Sequence, residues 1–342
     1  MKKNHDYPKW KLFLDLGKRN LELDENESAI NVLSKSISIK QDNYLSFYYR
    51  AIAQHRMKNY LLAIEDLKKS LELKKDFYSY IQIGISYNNT YQYNCALKNY
   101  NFAYKLFCKN SKIKNSNQLF FHRGITLYEL KKYQHSIYDF NKAIKLGFDG
   151  FDVFQNRGFG YLRLKKFDNA LLDFKESIKR NPDNINLLKC YEQLGLINIK
   201  LNNFNEVIKY AKEGLLLSIK HYRDKKKKLT NAELEHINKA WLLFLGFANI
   251  KLKNYEKAEY WLDKVNFLYI NNLDIRPCEA LCRAFTLSKL GKYDEALYYF
   301  RWFLNFKKYG NLFLPEIEEL IDELPVEMKT IIRIKFQYKF NN

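Results

Sequence analysis

The chain has 342 residues, only 5 of them Pro and 12 Gly, and 47% are hydrophobic, with 27 Tyr and 25 Phe. So few turn-forming residues argue against an all-β design, and so much apolar and aromatic side chain excludes long-range disorder. The formal charge of +20, from 58 basic and 38 acidic residues, favours contact with nucleic acid, anionic lipid or acidic protein, although the abundance of Lys, Asn, Ile, Tyr and Phe is also what compositional bias would give.

In chain order, one pattern recurs. Units begin at Trp10, Tyr44, Phe77, Asn117, Phe151, Leu188, Lys239 and Pro277, with spacings of 34, 33, 40, 34, 37, 51 and 38 residues. Numbered from these starts, position 8 is Gly17, Ala51, Gly84, Gly124, Gly158, Gly195, Gly246 or Ala284. Position 20 is small as well: Ala29, Ala63, Ala96, Ser136, Ala170, Ala258 and Ala296, with Val207 in the unit that starts at Leu188. Two helices that cross closely need small residues where they meet, so positions 8 and 20 are expected to face each other. Position 17 is aromatic in seven units, from Tyr60 to Tyr293, and position 24 is mostly large and apolar, as in Leu33, Tyr100 and Phe140. Polar pairs such as Lys131-Lys132 and Lys165-Lys166 lie between, as a short turn joining two helices requires. Each unit is therefore predicted to be a helical hairpin.

Three insertions interrupt the period. Tyr104 to Ser116 is predicted to lengthen a helix and then loop through Lys109-Asn110-Ser111. Ile219 to Leu229, with Lys225 to Lys228, is predicted as a solvated loop ahead of a capping box at Thr230 to Glu233, and Asn266 to Arg276 as a loop before Pro277. Beyond the last unit, Pro315 to Leu324 and Val326 to Phe340 are expected to be two further helices that cap an open apolar face.

The pattern resembles the tetratricopeptide repeat, most closely over Phe151 to Asn184, which keeps Gly158, Tyr161, Phe167, Ala170, Phe174 and Pro182. The resemblance implies an all-α, right-handed superhelical solenoid of about eight hairpins over residues 10–314, preceded by a tail at 1–9 and followed by capping helices at 315–342. It further implies a non-catalytic scaffold that binds a peptide or helical segment of another protein, acidic or amphipathic, in a concave groove. By the family's pattern that groove is lined by Tyr48, Ile52, His55, Tyr78, Ile81, Ile85, Asn88, Asn89, Phe121, Ile125, Tyr128, Gln155, Phe159, Leu162 and Arg163. Farther along, the same pattern gives Leu196, Ile199, Leu243, Phe247, Ile250 and Phe285. The clamp with which some relatives hold acidic peptide C-termini is absent: Asn156, Lys189 and Gln193 come nearest, but the preceding unit offers Phe121 and Ile125. The alternative function is RNA or other nucleic-acid binding by a basic helical-repeat surface.

Position 7 carries Arg50, Arg123, Arg157 and Arg283, and position 23 carries Asp66, Asp139 and Asp173. Every Asp occurs in a unit that also has the Arg, so pairing within each unit, Arg50 with Asp66, Arg123 with Asp139 and Arg157 with Asp173, is expected to be structural.

No cofactor is expected. His5, His55, His122, His135, His221 and His236 show no metal-ligand spacing, Cys278 and Cys282 lack a second ligand pair, and Gly158-Phe-Gly160 lies inside a helix pattern where it cannot cradle phosphate. Charges near the start and the absence of framework cysteine spacing suggest a reduced, cytoplasmic protein without a membrane span.

Overall fold

The computed structural model describes residues 7–110, 113–114, 116–224, 231–265, 276–307 and 319–336. These form seventeen α-helices and, among the described residues, no strand. Sixteen pair as hairpins: α1 (Lys9–Glu22) with α2 (Asn26–Ile39), α3 (Tyr44–Arg56) with α4 (Tyr60–Leu73), α5 (Phe77–Asn89) with α6 (Tyr93–Lys109), and α7 (Ser116–Glu129) with α8 (Tyr133–Lys145). Then follow α9 (Phe151–Arg163) with α10 (Phe167–Arg180), α11 (Leu188–Lys200) with α12 (Phe204–Asp224), α13 (Asn231–Lys251) with α14 (Tyr255–Asp263), and α15 (Arg276–Lys289) with α16 (Tyr293–Lys307). The last helix is α17 (Val326–Phe336). The chain divides into two compact units, Met1–Asp173 and Phe174–Asn342.

Every hairpin turns in the same way. Position 15, which is Asp24, Lys58, Tyr91, Lys131, Lys165, Asn202, Lys253 or Gly291, adopts a left-handed φ between 56° and 77°. The next N–H then reaches a carbonyl five residues back, as in Asn59 to Gln54 at 2.9 Å, Lys132 to Leu127 at 2.8 Å and Lys292 to Leu287 at 2.9 Å. This bond satisfies a helix-end carbonyl that would otherwise be orphaned. Only Gly291 adopts that φ without side-chain strain; the other seven turns hold an L residue there against a cost of about 1 kcal/mol. The position 17 residue opens the second helix each time, from Asn26 in α2 to Tyr293 in α16.

Positions 8 and 20 are buried throughout, and the atoms that crowd the glycines at position 8 come from a third position. A Cβ on Gly17 would lie 2.5 Å from the Leu33 side chain, on Gly84 2.6 Å from Tyr100, on Gly124 2.7 Å from Phe140 and on Gly246 2.5 Å from Leu262. Each partner is the position 24 residue of the same hairpin, and this large side chain requires the bare backbone. In the hairpin α11–α12 position 24 is Ala211, and the space over Gly195 is filled instead by Phe244 of α13, at 3.1 Å from a Cβ placed there. Gly214 of α12 in turn accommodates Trp241, whose ring would stand 2.8 Å from an added Cβ.

Two of the three insertions are partly described. The first lengthens α6 to Lys109, as expected. The second differs: residues 219–224, read as loop, continue α12, which no Gly or Pro interrupts over that stretch. Lys225 to Lys228, Thr230 of the capping box and residues 266–275 lie outside the described residues. So do residues 308–318, so that of the helix expected over Pro315 to Leu324 the structure describes a short 3₁₀ turn at 319–321.

Because Phe140 is fully buried against Gly124, the variant Gly124→Ala should lose about 1–3 kcal/mol in urea unfolding. The double variant Gly124→Ala/Phe140→Leu should recover part of that loss. An unchanged midpoint for Gly124→Ala would mean that the ring does not set the crossing.

Candidate partner-binding face

Within Met1–Asp173, the three arginines at position 7 each form a two-pronged pair with an aspartate. Arg50 Nε and Nη2 donate to the Asp66 carboxylate at 2.7 and 2.7 Å, Arg123 to Asp139 at 2.7 and 2.8 Å, and Arg157 to Asp173 at 2.8 and 2.6 Å. Each pair bridges the two helices of one hairpin. Nη1 has a further role that the sequence reading missed: it donates to position 25 of the preceding hairpin, Ser34 at 3.0 Å, Asn101 at 3.5 Å and Asn141 at 2.6 Å. One guanidinium therefore ties two hairpins together. Arg123 is also covered by Tyr104, 4.4 Å from its ring centroid. Asp139 is 1% exposed, and burial pushes its carboxyl above the ordinary value while the Arg123 fork pulls it back.

Arg283 has no position 23 aspartate. Its guanidinium donates to the carbonyls of Leu262 and Val265 and to the Tyr299 hydroxyl, and lies 3.6 Å from Asp263 and 3.8 Å from Glu279.

The proposed groove residues lie on the first helices of successive hairpins, and a row of polar contacts joins these helices. His55 Nδ1 of α3 is 3.0 Å from Ser86 Oγ of α5, and Asn89 lies 3.5 Å from the other ring nitrogen. Thr126 of α7 donates to Asn88 Oδ1 at 3.0 Å, and Arg163 of α9 donates to the Tyr128 hydroxyl at 3.2 Å. Beside this row, Tyr48, Ile52, Ile85, Ile125, Gln155, Phe159 and Leu162 are half-buried, while Tyr78, Asn89 and Arg163 are exposed.

Two of the fifteen residues do not belong to an accessible surface. Ile81 and Phe121 are 4% and 6% exposed and sit in the core that α5, α6, α7, α8 and α9 share. Phe148 stacks on Phe121 at 4.4 Å, which removes that ring from solvent. In Phe174–Asn342 the apolar strip is enclosed except at Leu196, which is half-buried. Ile199, Leu243, Phe247, Ile250 and Phe285 are all at most 3% exposed, because α13 from Trp241 to Ile250 is buried on every side. The C-terminal segment meets these helices at their ends: Lys251 of α13 donates to the Glu323 carboxylate at 2.7 Å and Lys289 of α15 to the Glu323 carbonyl at 2.9 Å. Leu320, Ile321, Leu324, Met328 and Ile332 are buried there.

Cys278 and Cys282 are fully buried, and burial raises the Cys282 thiol well above its usual value. Among the described residues no three His, Cys, Asp or Glu side chains come together as a metal set, and no helix is long and apolar enough to cross a membrane.

The fold and this face define an all-α protein of stacked helical hairpins. The chain has the tetratricopeptide-repeat fold. It superposes with a TM-score of 0.58 on the C-terminal part of a TPR repeat-containing protein from Cytophaga hutchinsonii, at 14% identity over 76% of this chain and 96% of that one. It is also similar to PilF of Pseudomonas aeruginosa, with a TM-score of 0.54 and 14% identity over 64% of this chain and 98% of that one. In sequence it is 37% identical over 71 residues to DnaJ homolog subfamily C member 3 of Gallus gallus, a match that covers 21% of this chain and spans 14% of that protein's length. No protein-family model matches the chain.

Removing either partner of the Arg123–Asp139 pair should cost about 3–5 kcal/mol, because the charge left behind stays buried. Arg123→Met/Asp139→Leu should cost much less than the sum of the single changes; additive losses would show that the two are not coupled. A second expectation concerns pH. Burial pushes the His122 ring from 6.5 down to about 4 and lowers His55 as well. A histidine with a depressed folded pKa contributes stability that is present above the unfolded value and is lost as pH falls from 6.5 toward 4. The urea midpoint should therefore drop between pH 7 and pH 5, and His122→Gln should flatten that slope.

Proposed function

We propose that the protein is a non-catalytic interaction scaffold, and that the first-helix face of Met1–Asp173 binds a peptide or helical segment of a partner protein in a concave groove. The observation that carries this reading is the set of half-buried apolar residues on successive first helices, Tyr48 and Ile52, Ile85, Ile125, Phe159 and Leu162, accompanied by fixed polar groups at His55, Asn88, Asn89 and Tyr128. An apolar strip of this length on a protein surface is usually a contact site. Because the polar groups are already held by neighbouring helices, the partner bears most of the ordering entropy. The corresponding strip of Phe174–Asn342 is buried apart from Leu196, and the proposed groove is therefore confined to the first unit.

A second reading draws on Lys58, Lys131, Lys132, Lys165 and Lys166, exposed in the hairpin turns, and on the +20 charge: a basic edge that attracts RNA. Affinity capture with the intact chain, beside Ile85→Glu/Phe159→Glu and beside the exposed pair Asn89→Ala/Arg163→Ala, distinguishes the two. A protein retained by the intact chain and lost from both variants supports the groove. A captured protein retained by both variants rejects it, and a steep salt dependence of RNA affinity with both variants unaffected favours the basic edge.

A further inference from the structure

The second helices of Met1–Asp173 carry a separate feature. α6 stands as a ridge between two cavities. One, about 480 Å³, is walled by Leu97 and Tyr104 of α6, Leu127 of α7 and Tyr138 of α8, above the Arg123–Asp139 pair. The other, about 430 Å³, lies one hairpin earlier between α4 and α6, walled by Leu71, Ile83, Tyr87 and Phe102. There the hairpin has Ile83 and Asn99 at positions 7 and 23, where its neighbours have Arg and Asp, so the cavity lacks a buried ion pair at its base.

Two independent observations point to an occupant. Tyr138 is 61% exposed and Phe102 37% exposed, so each cavity has a large apolar side chain turned to solvent at its rim. Second, the lining carboxylates are already engaged, Asp139 by Arg123 at 2.7 Å and Glu72 by Lys69 at 2.8 Å. The exposed Lys68, Lys98 and Lys132 thus leave the rims with a positive balance.

We infer that the α4–α6–α8 face is a second docking surface, which takes an acidic amphipathic helix of a partner protein with one apolar anchor for each cavity. One anchor enters each cavity beside Phe102 or Tyr138. Carboxylates on the intervening turn meet Lys98 on the ridge and Lys68 and Lys132 at the rims. First helices also line these cavities, through Ile83 and Tyr87 of α5 and Arg123 and Leu127 of α7, but none of the lining residues is a proposed groove residue.

The test uses the full chain and a fluorescein-labelled helical peptide of about 18 residues, with Leu along one face over its whole length and Glu beside it, titrated by fluorescence anisotropy. Tyr138→Glu and Lys98→Glu alter exposed side chains and should each weaken binding about tenfold or more, with unchanged circular dichroism. A peptide with Gln in place of Glu should weaken by a similar factor. Cys95 is exposed and lines the second cavity, so the bound peptide should slow its reaction with a thiol probe. Ile85→Glu, on the first-helix face, should leave the affinity unchanged. Failure of the acidic peptide to bind overturns the inference. So does affinity indifferent to Tyr138→Glu and Lys98→Glu, loss of binding with Ile85→Glu in their place, or equal binding of an extended, Pro-containing peptide of the same charge.

Discussion

One close approach sets the helix crossing in four of the hairpins, the seating of a large side chain at position 24 on bare backbone at position 8 of the same hairpin. With Leu33 over Gly17, Tyr100 over Gly84, Phe140 over Gly124 and Leu262 over Gly246, the two helices cross at a distance that a β-carbon would forbid. Where position 24 shrinks to Ala211, the gap does not stay empty: Phe244 reaches in from α13 over Gly195, and Trp241 rests on Gly214. What is preserved is the filled volume, as close packing of a protein interior demands, rather than any one residue pair.

A second constraint then joins hairpin to hairpin. The arginine at position 7 has five N–H donors in a fixed fork, more than a single carboxylate can accept, and the surplus is taken by position 25 of the preceding hairpin. Its chemistry follows the next hairpin. Ser34, Asn101, Asn141 and Asp263 precede Arg50, Arg123, Arg157 and Arg283, whereas Lys68, Lys175 and Lys212 precede Ile83, Leu194 and Leu245. An acceptor at that site would be left without its donor where the neighbour is aliphatic, and a lysine would repel the guanidinium where it is not.

These particulars show how far the sequence could be read. The hairpins were legible because a period of glycine, alanine and aromatic residues survives three insertions. The arginine–aspartate pairs were legible because the two residue types occur in the same units. The position 25 contact was legible in principle, through its co-occurrence with the next unit's arginine, but it crosses a unit boundary that a within-unit comparison never examines. The left-handed turn residue was hidden, because seven of the eight turns place Asp, Lys, Tyr or Asn where glycine would have announced it. The crowding at position 8 was legible only in part: two small residues in register mark a close crossing, but the bulk that fills it lies at position 24.

The candidate site was the least legible part, and the reason is physical. A helix face that packs on its neighbours and one that waits for a ligand have the same apolar composition; they differ in whether another helix has already covered them. Ile81 and Phe121 carry the residue types a groove would use, yet Phe148 and the adjoining hairpins enclose them. In Phe174–Asn342 the run from Trp241 to Ile250 is apolar on all sides of α13, so no stripe is left to distinguish an inner face from a core. Polar contacts are the better discriminator. His55, Asn88 and Tyr128, each half-buried, are held in place along one face by Ser86, Thr126 and Arg163. Groups arranged in this way contribute little to a dry core, but they fix the orientation of whatever apolar segment lies beside them.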